Sequence, residues 1–302
     1  MFSKDKNRQQ TQACVVKKEG IKDLSVYFRQ NAECCKFGPD SWVILSPIEQ
    51  QIKAKIEAVG TPLKDWDIQI YRGILTGYNE AFIIDGKKKD ELIAEDPKSA
   101  EIIRPILRGR DIKRYGYDFA DLWLINTHNG IKEKGIKPIN IDDYPAIKKH
   151  LDKYFPELKK RADKGNTPYN LRNCAYIEDF SKQKIVWLTI TDSPKFAMDS
   201  SKSICLNSVF FMTGSDYLYI ILASLNSKLI EWYFDGICVS TGEGTNKWEK
   251  FVVERIPIPK PDKQIEQQIE KLLLLKKHKE IDKLIYNMYG LSEKEINFIE
   301  IL

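Results

Sequence analysis

The sequence is short of the residues that most catalytic and metal sites require. Its three histidines, His128, His150 and His278, have no cysteine or second histidine at a zinc-ligand interval, and its six cysteines (Cys14, Cys34, Cys35, Cys174, Cys205 and Cys238) include no Cys-x-x-Cys pair. That pattern argues against structural zinc and suits reduced thiols in a chain that folds without covalent staples. No apolar run approaches the roughly 20 residues that span a bilayer. The opening MFSKDKNRQQTQ is polar where a signal peptide would be apolar. The expectation is a cytoplasmic protein with no membrane partner. Excess charge is also modest: 48 Lys and Arg against 43 Asp and Glu leave a net +5. A polyanion would therefore have to be met by a local concentration of cations. No internal repeat is present.

Catalytic signatures are equally scarce. A DNA methyltransferase needs a glycine-rich strand-to-helix turn for its cofactor and an Asn/Asp-Pro-Pro-Tyr/Phe tetrapeptide that grips the flipped base. The nearest match, Asn166-Thr167-Pro168-Tyr169, follows a charged stretch where the motif would follow an apolar strand, so it reads as a decoy. Pro39-Asp40 has no later Glu-x-Lys of the kind a metal nuclease uses, and Pro261-Asp262 opens a helix. No nucleophile elbow accompanies the histidines. The chain is read as holding no catalytic, cofactor or metal site of its own.

What is present is a core-forming pattern, with 42% hydrophobic residues over 302 positions. The first dozen residues are polar and expected to be mobile. Ile48, Ile52, Ile56 and Val59 recur at helical spacing up to Gly60. Residues 66–85 alternate as a strand pair, with a tight turn expected at Asp85-Gly86 before the run Lys87-Lys88-Lys89. From Asp96-Pro97 a helix is expected, broken near Gly109 and followed by a strand ending near Thr127. A second helical block spans residues 143–165, interrupted by Pro156, with its lysines on a solvated face. Strands at 184–190 and 203–214 precede a buried helix over 216–238, an extended stretch at 251–261, and a helical tail from Asp262 with a break near Gly290. The fold class that follows is α/β (α+β), with a mixed, largely antiparallel twisted sheet, packed helices and a helical C-terminal extension. Divided by composition, residues 1–40 form an N-terminal segment, 41–260 a central domain and 261–302 the extension.

Three local groupings suit nucleic acid. Arg104, Arg108, Arg110, Lys113 and Arg114, ending in Tyr115, would aim guanidinium forks from a glycine turn at phosphates or guanine edges; a helix end with cations at its dipole is the structural alternative. Arg72, Thr76 and Asn79 frame a glycine-permitted bend at which backbone and short side chains could approach a phosphate or base, or which is simply a hairpin turn. The polar loop 240–247, with Thr241 and Lys247, is flexible enough to enter a groove.

Four blocks taken in order carry a resemblance: YRGILTGYNEAFII at 71–84, IIRPILRGRDIKRY at 102–115, ILASLNSKLIEWYF at 221–234 and ERIPIPKP at 254–261. They resemble the TaqI-like C-terminal specificity domain of type IIG restriction-modification methyltransferases, over roughly residues 40–302, and the closing IDKLIYNMYGLSEKEINFIE is similar to the ends of such chains. The resemblance implies recognition of double-stranded DNA on behalf of a methyltransferase/endonuclease domain or subunit that binds S-adenosylmethionine and methylates adenine. The catalytic motifs being missing, the chain is either part of a longer polypeptide or a separate specificity subunit comparable to type I subunits, with homodimerisation through the C-terminal helices conceivable for a half-subunit. An intact methyltransferase with degenerate motifs and a protein scaffold without DNA binding are the rival readings. On the DNA reading, Arg108, Arg110, Lys113 and Arg114 anchor phosphates, while Arg72, Thr76, Asn79, Tyr115, Arg172, Lys195, Asn207, Thr241 and Lys247 supply base-edge or further backbone contacts.

Overall fold

Period-two alternation along one sheet divides the interior into two cores. The structure, a computed structural model, describes residues 11–14, 16, 23–35, 44–237, 246–260 and 262–301. Expectations for Thr241, Cys238 and most of the first 40 residues lie outside these. Two four-stranded sheets are built from β1 (Ile68–Arg72), β2 (Ile83–Asp85), β3 (Ile103–Leu107), β4 (Leu122–Ile125), β5 (Lys184–Leu188), β6 (Phe196–Asp199), β7 (Ile204–Cys205) and β8 (Val209–Gly214). The first sheet runs β6-β5-β8-β1 and is antiparallel throughout; the second runs β7-β3-β4-β2, with β7 parallel to β3. In β5, Ile185 and Trp187 join one core with Phe196, Met212 and Ile70, while Val186 between them joins a second with Ala197, Val209 and Phe211. Successive side chains of a strand point to opposite faces, so both faces of this sheet are apolar and covered.

Helices close each core. These are α1 (Pro47–Val59), α2 (Gly86–Glu95), α3 (Pro145–Asp152), α4 (Leu218–Leu225), α5 (Lys228–Ile237), α6 (Lys263–Leu274), α7 (His278–Met288) and α8 (Glu293–Ile301). Leu92 of α2 and Ile147 and Leu151 of α3 enter the second core; α1, α4, α5 and the three C-terminal helices enter the first. The C-terminal helices are tied in by polar contacts too. Glu266 of α6 accepts from Tyr219 N at 2.7 Å and Ile220 N at 2.8 Å, satisfying N–H groups at the start of α4 that no side chain of its own caps. Leu274, Leu275 and Ile301 stay exposed.

The mixed, largely antiparallel architecture and the helical tail agree with the sequence. Ser46 N donates to Glu49 at 2.7 Å at the start of α1, and Asp262 caps α6 by accepting from Gln264 N at 2.9 Å and Ile265 N at 3.0 Å. Several local expectations are corrected. Asp85-Gly86 is a helix start: Asp85 accepts from Lys88 N at 2.7 Å and α2 follows directly. Residues 103–107 are strand, not helix; Pro105 pairs with Trp123 across β3 and β4, in keeping with the β-branched Ile103 and Ile106 and with a proline that an α-helix interior would exclude. The expected single helix over 216–238 is two, because Ser227 Oγ donates to Ser224 O at 2.7 Å and accepts from Ile230 N at 3.2 Å, ending α4 and starting α5. Within the expected extended stretch 251–261, Lys250–Val253 is a helical turn, and Pro257–Ile258 is the strand.

An ion pair with no exposed side-chain surface joins β5 to the edge strand β6, where Lys184 and Asp199 stand opposite each other: Lys184 Nζ lies 2.5 Å from Asp199 Oδ2 and also donates to Phe180 O at 2.7 Å. Asp199 further accepts from Tyr117 Oη at 3.0 Å, Ser201 Oγ at 2.6 Å and Ser203 N at 3.2 Å. Burial alone would raise the Asp199 carboxyl, but the Lys184 charge and the hydrogen bonds from Lys184 and Ser201 hold it below its usual value. A depressed carboxyl stabilises the fold above its unfolded value of about 3.9, and that contribution is lost as pH falls through the folded value. Asp199→Ala is expected to cost about 3–5 kcal/mol by leaving Lys184 buried and unpaired; urea titration at neutral pH measures it, and the difference from wild type should shrink as the pH is taken below about 4.

Candidate nucleic-acid interface

The two sheets meet where β1 runs on past Arg72. Gly73 N donates to Val209 O at 2.8 Å and Ile74 N to Cys205 O at 2.8 Å, so one segment is bonded to the chain on both sides of the turn between β7 and β8. Gly73 is required there, since a Cβ would lie 2.1 Å from Leu206 O. Tyr176 braces the same point, stacking on Tyr71 with ring centroids 4.3 Å apart and donating from Oη to Arg72 O at 2.9 Å.

A run of depressions that share residues follows this seam. One is walled by Asn129, Lys132, Lys137, Asn166 and Asn173. Asn173 and Cys174 lead to a second, around Arg72, His128, Arg172 and Asn207. Asn207 leads to a third, bordered by Thr76, Gly77 and Asn79, and Asn79 to a fourth, bordered by Arg108 and Arg110. Residues separated by more than a hundred positions in sequence thus line a row of adjoining depressions, together termed the groove.

Within it the polar groups differ in how free they are. Arg110 is exposed, and among the described residues its guanidinium makes no hydrogen bond or ion pair, acting on Asp111 only through its charge. Arg72 Nε donates to Asn207 O at 2.7 Å, and Arg172 Nη1 to Asp163 Oδ1 at 3.1 Å, leaving other donors of each fork available. Thr76 is buried and donates to Asn79 Oδ1 at 2.6 Å, so it orients Asn79. Arg108 grips Asp111 with Nη2 at 2.7 Å and Nε at 3.0 Å. Burial would raise the Asp111 carboxyl, yet the Arg108 hydrogen bonds outweigh it and hold it low. Arg104 folds back onto Ala100, Glu101 and Ile103 carbonyls. Burial, and then the Arg104 charge, lower the His128 pKa and favour its neutral form; Nδ1 accepts from Gly130 N at 3.1 Å, so in that form the proton is on Nε2. Burial pushes the Cys174 thiol up to about 11, which keeps it un-ionised.

Other expected contacts are not brought here. Arg114 donates to Asn226 O at 3.1 Å and reaches Asp282 of α7 at 3.4 Å. Tyr115, at φ 67°, lies against His278 with centroids 4.5 Å apart and has a buried hydroxyl. Both fasten the tip of the hairpin formed by residues 112–113 and 116–117 to the C-terminal helices. Lys113 is exposed, 4.0 Å from Asp118. Lys195 pairs with Asp192 at 2.7 Å. Lys247 is exposed opposite Ile190, on a pairing linked to the groove by Thr189 N donating to Ser208 O at 3.3 Å. The asparagines 129 and 173, His128 and Tyr176 were not anticipated, although the stretch NTPYNLRNC concentrates three asparagines in eight positions of a loop. Its Asn-Thr-Pro-Tyr start is a turn in which Thr167 Oγ1 donates to Asn170 Oδ1 at 2.7 Å.

The model of the TaqI-like C-terminal specificity domain family matches residues 104–258, just over half of the chain. The chain belongs to this family. Among solved structures, the TaqI-like chain resembles the type IIL restriction-modification enzyme MmeI, solved in complex with DNA, with TM-score 0.56 and 14% identity over 80% of this chain and 35% of that one. It also resembles the type IIG restriction endonuclease BpuSI, with TM-score 0.51 and 18% identity over 80% and 32%. At such identities the likeness is one of fold, and the TaqI-like chain spans about a third of the length of either enzyme. Family and neighbours support a DNA-recognition role in restriction-modification. Among the described residues, no group of His, Cys, Asp and Glu could hold a metal ion, and no helix is long and apolar enough to cross a membrane.

The two arginines flanking Gly109 are expected to separate by experiment. Arg108→Ala should lower stability by about 2 kcal/mol, because it strips a buried carboxylate of its charged donor, and chemical denaturation reads this directly. Arg110→Ala should leave the unfolding midpoint where it is.

Proposed function

We propose that the groove binds double-stranded DNA and reads a specific base sequence, directing an adenine-specific methyltransferase/endonuclease domain or subunit to its site. The carrying observation is the row of adjoining depressions that brings the forked and amide side chains of Arg172, Arg72, Asn207, Asn79 and Arg110 into succession. Arginine suits guanine O6 and N7, and asparagine adenine N6 and N7, which is the chemistry of direct readout. On this reading Arg110 contacts phosphate from within the groove, the exposed Lys113, whose Nζ lies 3.4 Å from Arg110 O, and Lys247 contact phosphates outside it, and Asn79, Arg172 and Asn207 read base edges. Arg72 serves either role from the middle of the groove. Specificity domains of this kind are typically non-catalytic parts, so S-adenosylmethionine and the methyl transfer belong to the associated methyltransferase. Recognition is assigned to residues 41–260, in a cytoplasmic setting.

The test is a salt titration of binding to a randomised duplex pool, with the retained fraction sequenced, for the chain by itself and with its methyltransferase. An enriched asymmetric motif with salt-dependent affinity is expected; binding without enrichment in either arm would defeat the reading. Arg110→Ala should weaken all duplexes alike and lower the salt slope by about one, whereas Arg172→Ala or Asn207→Ala should cost about 1–3 kcal/mol mainly on the selected site.

A further inference from the structure

Arg161 is 7% exposed and has no carboxylate bonded to it. Its guanidinium instead donates to main-chain carbonyls only. Nη1 reaches Asp163 O at 3.0 Å and also Thr76 O, while Nη2 reaches Pro168 O at 3.0 Å and also Asn170 O. The carbon at the centre of the fork sits 4.5 Å from the Phe82 ring centroid, and Nε finds no partner. Asp163, the carboxylate close enough to act on its charge, turns its side chain to Arg172. Burial lowers the Arg161 pKa to about 10, so the group stays charged at neutral pH.

The carbonyls come from two segments, and each segment carries groove residues. Thr76 O belongs to the bend after β1, where Thr76 Oγ1 orients Asn79. The other carbonyls belong to residues 163–170, where Asp163 holds Arg172 and Asn166 N donates to Asn129 Oδ1 at 2.8 Å. The segments touch at Gly77: at φ 72°, a Cβ there would lie 3.1 Å from Asp163 O and 3.3 Å from Arg161 Cδ. A lysine could supply the charge but not a planar fork shared among such carbonyls.

We propose that Arg161 is a positioning residue for base readout, clamping the bend that presents Asn79 to the loop that presents Arg172 and Asn166, and so setting the distance between two walls of the groove. The proposal rests on the DNA reading above for its consequence, while the clamp itself is testable without DNA.

The experiment pairs amide hydrogen exchange with duplex selection for Arg161→Lys and, as a variant that keeps the guanidinium, Gly77→Ala. In Arg161→Lys, amides of residues 76–80 and 163–170 are expected to exchange faster together, with β5 and β8 unchanged. The preference for the selected site over random duplex should fall about tenfold, the scale of one good bidentate base contact, with the salt slope retained. Gly77→Ala should move both readouts in the same direction. Faster exchange in one segment alone, or throughout the chain, overturns the clamp for either variant. Joint loosening with selectivity unchanged overturns the role in readout. A wild-type chain with no sequence preference defeats the DNA reading and the readout role with it, and the exchange result then judges the clamp on its own.

Discussion

The close approach of Gly73 to Leu206 is the constraint on which the rest depends. Hydrogen bonds alone would let β1 end at Arg72 and leave the two sheets as neighbours. Because the position lacks a Cβ, the backbone can press against the Leu206 carbonyl and bond to both Val209 and Cys205. That joins the end of the first sheet to the turn leaving the second. Three parts of the groove flank this joint: Arg72 just before it, the Thr76 bend just after it, and Asn207 on the opposing turn. The stacked Tyr71 and Tyr176 rings carry the same rigidity to the 171–177 segment. A side chain at position 73 would collide with the Leu206 and Cys205 carbonyls and so part the walls at the joint.

The cations around this joint divide by what their donors already hold. Arg104, Arg108 and Arg114 are committed to carbonyls or carboxylates of the chain itself, and Arg110, two residues from one of them, is not. A buried or half-buried guanidinium needs its hydrogen bonds satisfied locally, and so it is drawn into structural work. Exposed cations with no partner remain for a ligand. A net +5 is thus compatible with an anion-binding groove, because the charge that matters is the unpaired part.

Much of the framework was legible in the sequence, for local reasons. The spacing of Ile52 and Ile56, the proline at the start of α1 and the aspartate before α6 act within a few residues of themselves, so they read correctly. The segment 103–107 misread because basic residues around a glycine resemble a helix end, whereas Pro105 and the pairing with β4 decide for strand. The ordered blocks that resemble specificity domains include Arg72, Asn79 and Arg110, three residues the groove does bring together. Arg114 and Tyr115 stand in the same block and face the other way, since their partners on α7 lie more than 160 residues later. Arg161 gave no signal at all: its partners are carbonyls, which every residue possesses.

Glu266 carries a consequence for how such chains could be recombined. Its carboxylate, raised in pKa by burial, closes the first turn of α4 from a helix that lies beyond the proline-rich exit at 257–260. A transplant boundary drawn at that exit would look natural, since composition changes there. It would also strip two amide groups of their acceptor and open the first core along α4. The first core is therefore complete only with α6 in place, and a boundary that keeps Glu266 together with α4 keeps those two amides satisfied.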